Sequence, residues 1–168
     1  MKTFKLILPA LALSLFVACS ATTQNSGKET AAAADADNQA DTTLVATMAI
    51  PAALTANSPI EMTFTVYNRT DSVKTFCKWH TPFEPLMSKY LDITSANGEE
   101  AAYKGPMAKR MMPPPADSYV SIKPKDSLSI KVDLTKAYDI KAGNYVVRYN
   151  SQAISGLSVT DSVKISVK

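Results

Sequence analysis

Ile60, Met62, Phe64 and Val66 alternate with Glu61, Thr63, Thr65 and Tyr67. Side chains that repeat every two residues lie on opposite faces of a strand, so this stretch carries one apolar face that a second layer must cover. No other feature restricts the fold as much, because a slip of one residue would turn the whole apolar set toward water. The pattern recurs. Leu128, Ile130, Val132 and Leu134 alternate with Ser129, Lys131 and Asp133. Tyr145, Val147 and Tyr149 share one face of a further stretch, and Val163, Ile165 and Val167 share one face of another. Turn-forming residues separate these stretches: Asn57-Ser58-Pro59, Asn68-Arg69-Thr70-Asp71, Asn97-Gly98, Pro124-Lys125-Asp126 and Ala142-Gly143-Asn144. Asn-Gly is a strong hairpin signal, since both residues tolerate positive φ. No part of residues 43–168 keeps a helical period over three turns. About seven short strands, at a spacing of roughly 8–12 residues, predict an all-β fold: an immunoglobulin-like antiparallel β-sandwich, as a single domain over residues 43–168. A tyrosine two residues after the turn glycine Gly143 predicts a tyrosine corner at Tyr145, its hydroxyl bonded to nearby backbone.

The first residues differ in character. Lys2 and Lys5 precede an almost wholly apolar run over residues 7–18. The run is too short to cross a bilayer of roughly 30 Å and reads as a secretory signal over residues 1–18. The piece L-F-V-A-C resembles a bacterial lipobox, although Phe16 stands where leucine is preferred. That resemblance implies lipid attachment at Cys19, a membrane partner through that lipid, and a place in the bacterial cell envelope. Ser20 after the cysteine favours the outer membrane, facing the periplasm. Residues 20–42 are small and polar, with too little apolar surface to offset the entropy of ordering them. Residues 19–42 therefore read as a lipidated cysteine and a tether, with a coil span of roughly 25 Å. The formal net charge of +3 includes the two lysines of the leader. Beyond Lys109-Arg110 there is no basic cluster, so no nucleic-acid partner is expected.

Residues 76–86, F-C-K-W-H-T-P-F-E-P-L, collect the only tryptophan, Trp79, the only histidine, His80, and Cys77, the only cysteine besides Cys19. With Cys19 lipidated, Cys77 has no partner for a disulfide. A zincin site needs two histidines one helical turn apart, and one histidine cannot supply them. No G-x-S-x-G elbow accompanies His80. A Cys77–His80 dyad works only if the chain bends at Trp79, since residues three apart on a strand face opposite ways. The bland reading makes Trp79 a packing anchor at the end of a core strand, Cys77 a small hydrophobe and His80 a structural residue. Thr81-Pro82 then turns the chain. The stretch P-M-A-K-R-M-M-P-P-P offers a different chemistry, because Met107, Met111 and Met112 with His80 or Cys77 nearby make a soft set suited to Cu(I). Methionines that fill gaps beneath a long loop are the alternative. No cofactor is expected.

The ordered series of motifs carries a resemblance. Residues 78–84 read K-W-x-T-P-x-E, residues 103–110 Y-x-G-P-x-x-K-R, and residues 119–124 Y-V-x-I-x-P. Residues 132–139 read V-D-L-x-x-A-Y-D, and residues 143–149 follow a G-x-Y pattern that ends in tyrosine. In combination these resemble the N-terminal, non-catalytic β-sandwich that precedes the protease domain in deuterolysin-like (aspzincin) peptidyl-Lys metalloendopeptidases. Pro85 stands where relatives carry glycine, and Val147-Arg148 shift the last motif by one place. The resemblance makes Trp79, Thr81, Pro82 and Tyr145 signatures of a fold. The HExxH of the relatives maps to no residue of this sequence, so a non-enzymatic module is expected, one that binds a protease or another protein as a pro-region or inhibitor does. The candidate contact residues are Glu84, Gly105, Met107, Lys109, Arg110, Met111 and Met112; a solvated surface ion pair between Glu84 and the basic Lys109-Arg110 is the alternative to a partner contact there.

Overall fold

The computed structural model describes residues 44–168. The expected leader, the lipidation at Cys19 and the tether over 19–42 lie outside the described residues. The strand with the clearest alternation, Glu61–Asn68, is β3, and it buries Met62, Phe64, Val66 and Asn68 on one face. It runs between β1 (Leu44–Ala49) and β7 (Ser127–Asp133), antiparallel to both. A second sheet has the order β2 (Ala53–Leu54), β9 (Val163–Val167), β8 (Gly143–Tyr149) and β5 (Leu91–Ser95). A third, two-stranded sheet pairs β4 (Lys74–Cys77) with β6 (Tyr119–Ile122). Within the second sheet β2 is parallel to β9, and the other pairs are antiparallel.

The apolar faces meet in one core. Phe64 of β3 lies against Tyr149 of β8, ring centres 5.4 Å apart, and edge-on to Phe83 at 6.3 Å. Around them Met62, Val66, Phe76, Leu91, Ile93, Ile122 and Val147 are sealed from solvent. Each such side chain contributes about 1.5–3 kcal/mol relative to exposure. The architecture is the all-β, immunoglobulin-like sandwich that the alternation predicts. Nine strand segments occur among the described residues where about seven are expected, because β2 with two residues and β6 with four are too short to show a period. The Asn97-Gly98 signal is realised: Gly98 has φ 84°, and Thr94 pairs with Glu100 across the turn.

Two polar side chains fasten the connections. Asn68 is 1% exposed. Its Nδ2 donates to the carbonyls of Ser72, Ile122 and Lys123, and its Oδ1 accepts from the Thr70 N–H and hydroxyl. One amide thereby closes the turn after β3 and ties it to the end of β6. Asp133 caps the 3-10 turn Leu134–Lys136. Its Oδ1 accepts from the N–H groups of Ile60 and Thr135 and from the Thr135 hydroxyl. Burial raises the Asp133 carboxyl, but these hydrogen bonds outweigh it and hold the group below the usual carboxylate range. A depressed folded pKa stabilises above the unfolded value near 3.9, and the gain disappears as pH falls through the folded value. Asp133→Asn is accordingly expected to cost about 1 kcal/mol at neutral pH. In urea unfolding the difference between the two proteins is expected to narrow as pH falls below the unfolded value near 3.9 and the wild-type carboxyl takes up its proton.

Candidate functional site

β4 ends at Cys77, two residues before the tryptophan expected to close the strand. The early end comes from Thr81, whose hydroxyl and N–H both donate to the Lys78 carbonyl, at 2.7 and 3.2 Å, and wind the chain into a turn. His80 sits within it at φ 56°. Phe83 N–H then donates to the Thr81 hydroxyl and Glu84 N–H to the Thr81 carbonyl, which carries the turn forward. Thr81 and Pro82 are buried beneath. Trp79, 5% exposed, thus belongs to a stack of turns over residues 78–87 rather than to a strand.

A second group of residues supports the loop over residues 105–115. Tyr103 pairs with Tyr138 across an isolated bridge, and their rings meet edge-on at 5.1 Å. The Tyr103 hydroxyl donates to the carbonyls of Leu86 and Pro106, at 2.8 and 2.9 Å, so one side chain joins the turn stack to the start of the loop. Gly105 lies against this ring. A Cβ there would stand 2.5 Å from the Tyr103 hydroxyl and 2.9 Å from the Ala137 methyl, so this close approach requires glycine. Lys104 N–H donates to the Ala137 carbonyl, and the Lys104 ammonium pairs with Asp139 at 2.8 Å. The Tyr138 hydroxyl accepts from Leu91 N–H at 3.3 Å. The motifs around residues 78–84, 103–110 and 132–139, well separated in sequence, are therefore parts of one support.

Arg110 locks the loop onto it. Its guanidinium lies over the Trp79 ring, 4.9 Å from the centre, and pairs with the Glu84 carboxylate. The side chains are 22% and 15% exposed, so the solvated surface pair expected from the sequence is instead largely enclosed. The reason is the tryptophan: the flat guanidinium covers its face and carries Glu84 inward with it. Ala108 N–H adds a bond to the Met87 carbonyl at 2.9 Å. With Ala108 and Arg110 turned toward the body, their neighbours face outward. Met107 is 69% exposed, Met111 85% and Met112 70%, and Lys109 is exposed between them. Methionines that fill gaps beneath the loop are not what is found. The loop rests on tyrosine, glycine and arginine, and its thioethers face solvent.

The remaining predicted residues lie elsewhere. His80 borders a cleft with Asn150, Ser151, Ala153 and Ile154, near the short helix α1 (Gln152–Ser155), and no methionine lines that cleft. Cys77 is a free, buried thiol, and burial pushes it above its ordinary value. No hydrogen bond joins it to His80 among the described residues, although the chain does bend at Trp79. The tyrosine corner expected at Tyr145 is not formed among the described residues. Tyr145 has its ring beside Gly143, and its hydroxyl makes no hydrogen bond among the described residues. Tyr149 meets the His80 and Ser151 carbonyls and the Ser155 hydroxyl instead. Burial pushes the Tyr149 hydroxyl up to about 12, which keeps it a donor throughout the ordinary pH range. A separate groove of about 550 Å³ is bordered by Asp92, Thr94, Glu100 and Arg148. The Lys89 ammonium bridges both of its carboxylates, at 3.4 and 2.5 Å.

Among the described residues no group of three histidine, cysteine, aspartate or glutamate side chains is placed to hold a metal ion. No curated protein matches the chain. A family model described as an immunoglobulin-like domain matches residues 47–149, from within β1 to the end of β8. The match covers both principal sheets except β9, which follows it in sequence and lies between β2 and β8. Given that match and the two facing sheets, the chain belongs to the immunoglobulin-like domain family.

Proposed function

We propose that this chain is a non-catalytic binding module of the bacterial cell envelope that docks on a protease, as a pro-region or inhibitor does, through the loop over residues 105–115. The observation that carries the reading is the contrast within that loop. Its backbone is held by Tyr103, Ala108 and Arg110, while Met107, Met111 and Met112 are exposed. An ordered loop loses little entropy on binding, and exposed methionine suits an interface. The choice of a protease as partner rests on the motif series, which resembles the non-catalytic sandwich of aspzincin peptidyl-Lys endopeptidases. The lipobox-like L-F-V-A-C supports a tether to the outer membrane through Cys19.

Titration of an aspzincin peptidyl-Lys endopeptidase with the full chain tests the reading, with cleavage of a lysine-containing peptide as the signal. Saturable inhibition is expected, with no turnover by the chain alone. Unchanged cleavage at a large excess of the chain overturns the proposed partner, and metal-dependent turnover by the chain alone overturns the non-catalytic assignment.

A further inference from the structure

The first sheet ends at β7 in an edge that no strand covers among the described residues. Two bonds just beyond the strand set its parity. Leu134 N–H donates to the Ile60 carbonyl, and Asn68 N–H to the Asp126 carbonyl. Even-numbered residues of β7 therefore bond to β3, while the backbone groups of Ser127, Ser129, Lys131 and Asp133 point away from it. Ser127 N–H is met by the Asp126 carboxylate at 2.8 Å. Those of Ser129 and Lys131 have no backbone partner among the described residues. β5, at the rim of the second sheet, is instead covered by its own chain. Ala101 N–H donates to the Ile93 carbonyl and Ser95 N–H to the Glu99 carbonyl, each at 2.8 Å. Proteins that keep a long edge to themselves place a proline, a bulge or an inward charge on it. S-L-S-I-K-V-D has no proline, and its register with β3 is unbroken. Its side chains toward the core are Leu128, Ile130 and Val132, of which Leu128 and Ile130 are only half-buried.

From this edge we infer that two copies of the chain pair β7 against β7, antiparallel about a two-fold axis at Ile130, and join their first sheets into one. In that register Ser129 faces Lys131 of the second copy and Ser127 faces Asp133. Every exchange then joins backbone groups that point outward in both copies. Leu128 faces Val132 and Ile130 faces its own counterpart, which carries the apolar row across the junction. No like charges stand opposite one another. Asp126 and Lys136, exposed beyond the two ends of the strand, are brought toward each other by the antiparallel order. The edge is thus complementary to its own reverse, and this selects a second copy over an unrelated strand. The shared surface is small, so half of the chain is dimeric only at about 100 μM. The pairing makes no use of the 105–115 loop and stands whatever that loop binds.

Sedimentation of the full chain from about 10 μM to about 1 mM, with amide hydrogen exchange at both ends of that range, tests the inference. A dimer is expected, with exchange at the Ser129 and Lys131 amides slowed at least about tenfold at the higher concentration. Ser129→Pro removes an outward N–H and leaves the bonds to β3 in place, so it should weaken association at least about tenfold. Thermal melting verifies that the variant is folded. Should it not fold, the concentration dependence of the wild-type amides still decides. A chain that stays monomeric at about 1 mM overturns the pairing, as does a dimer whose Ser129 and Lys131 amides exchange as fast as in the monomer. Protection confined to Ala46 and Met48, the outward amides of β1 by the same parity, would place the junction on the other edge and also overturn it. Protection of Ser129 and Lys131 already complete in the monomer would make a segment of the same chain the occupant, against a second copy.

Discussion

Asn68→Asp is expected to destabilise the domain by about 3–5 kcal/mol at neutral pH, enough to unfold many proteins of this size. The replacement is nearly isosteric, so the cost is electrostatic. In the wild type, the amide nitrogen faces three carbonyl oxygens, those of Ser72, Ile122 and Lys123. A carboxylate there sets an acceptor against acceptors and places a charge at a site 1% exposed to solvent. The sign with pH follows. Burial and the three facing carbonyls raise the folded pKa of the new acid, against the two donors of Thr70, so the variant loses stability as pH rises above the unfolded value near 3.9 and regains part of it toward acid. Chemical unfolding at about pH 4 and pH 7 checks this. A loss that does not depend on pH would show that the cost lies in the missing amide N–H donors and not in a buried charge.

The second large effect concerns Arg110. Arg110→Ala leaves Glu84 largely enclosed without its counter-charge and bares one face of Trp79, at an expected cost of about 2–4 kcal/mol. Arg110→Lys should recover less than half of that, since an ammonium keeps the charge but loses the flat contact. The informative quantity is the coupling between Arg110→Ala and Glu84→Gln in a double-mutant cycle. A coupling of at least about 1 kcal/mol is expected, and a value near zero would reduce the pair to independent surface groups. Limited proteolysis supplies a second measure: Arg110→Ala should make the 105–115 loop the first point of cleavage, because the anchor that orders it is gone.

Much of the fold could be read from residues that alternate. β3, β7, β8 and β9 all show the period of two, and a sandwich follows from the need to cover their apolar faces. β2 and β6 could not be read this way, as two- and four-residue strands hold too little pattern to separate from loop. The site was legible in its members but not in its geometry. Glu84 and the basic Lys109-Arg110 suggested an ion pair, yet which of the two bases pairs, and its enclosure, depend on Trp79, whose strand ends early through a threonine hydroxyl bond that no alternation encodes. The methionines show the same limit. Whether a thioether fills a gap or faces water is decided by which neighbour is pinned inward. Here that neighbour is Arg110, and its partners arrive from a different part of the chain. Tyr145 and Tyr149 lie on the same strand face, and alternation alone does not tell which hydroxyl finds partners; the Ser155 hydroxyl and the His80 carbonyl beside Tyr149 decide it.

The position of β9 sets an order in time. Residues 163–167 are the last of the second sheet to be made, yet they lie within it, hydrogen-bonded to β8 on one side and to β2 on the other. Until they emerge, β8 has only β5 beside it in that sheet and the short β2 has no strand to join. Contacts between such distant parts of a sequence form slowly. The half-made domain therefore stays open along one edge, and closure waits for the final strand to slide between two others that are already waiting.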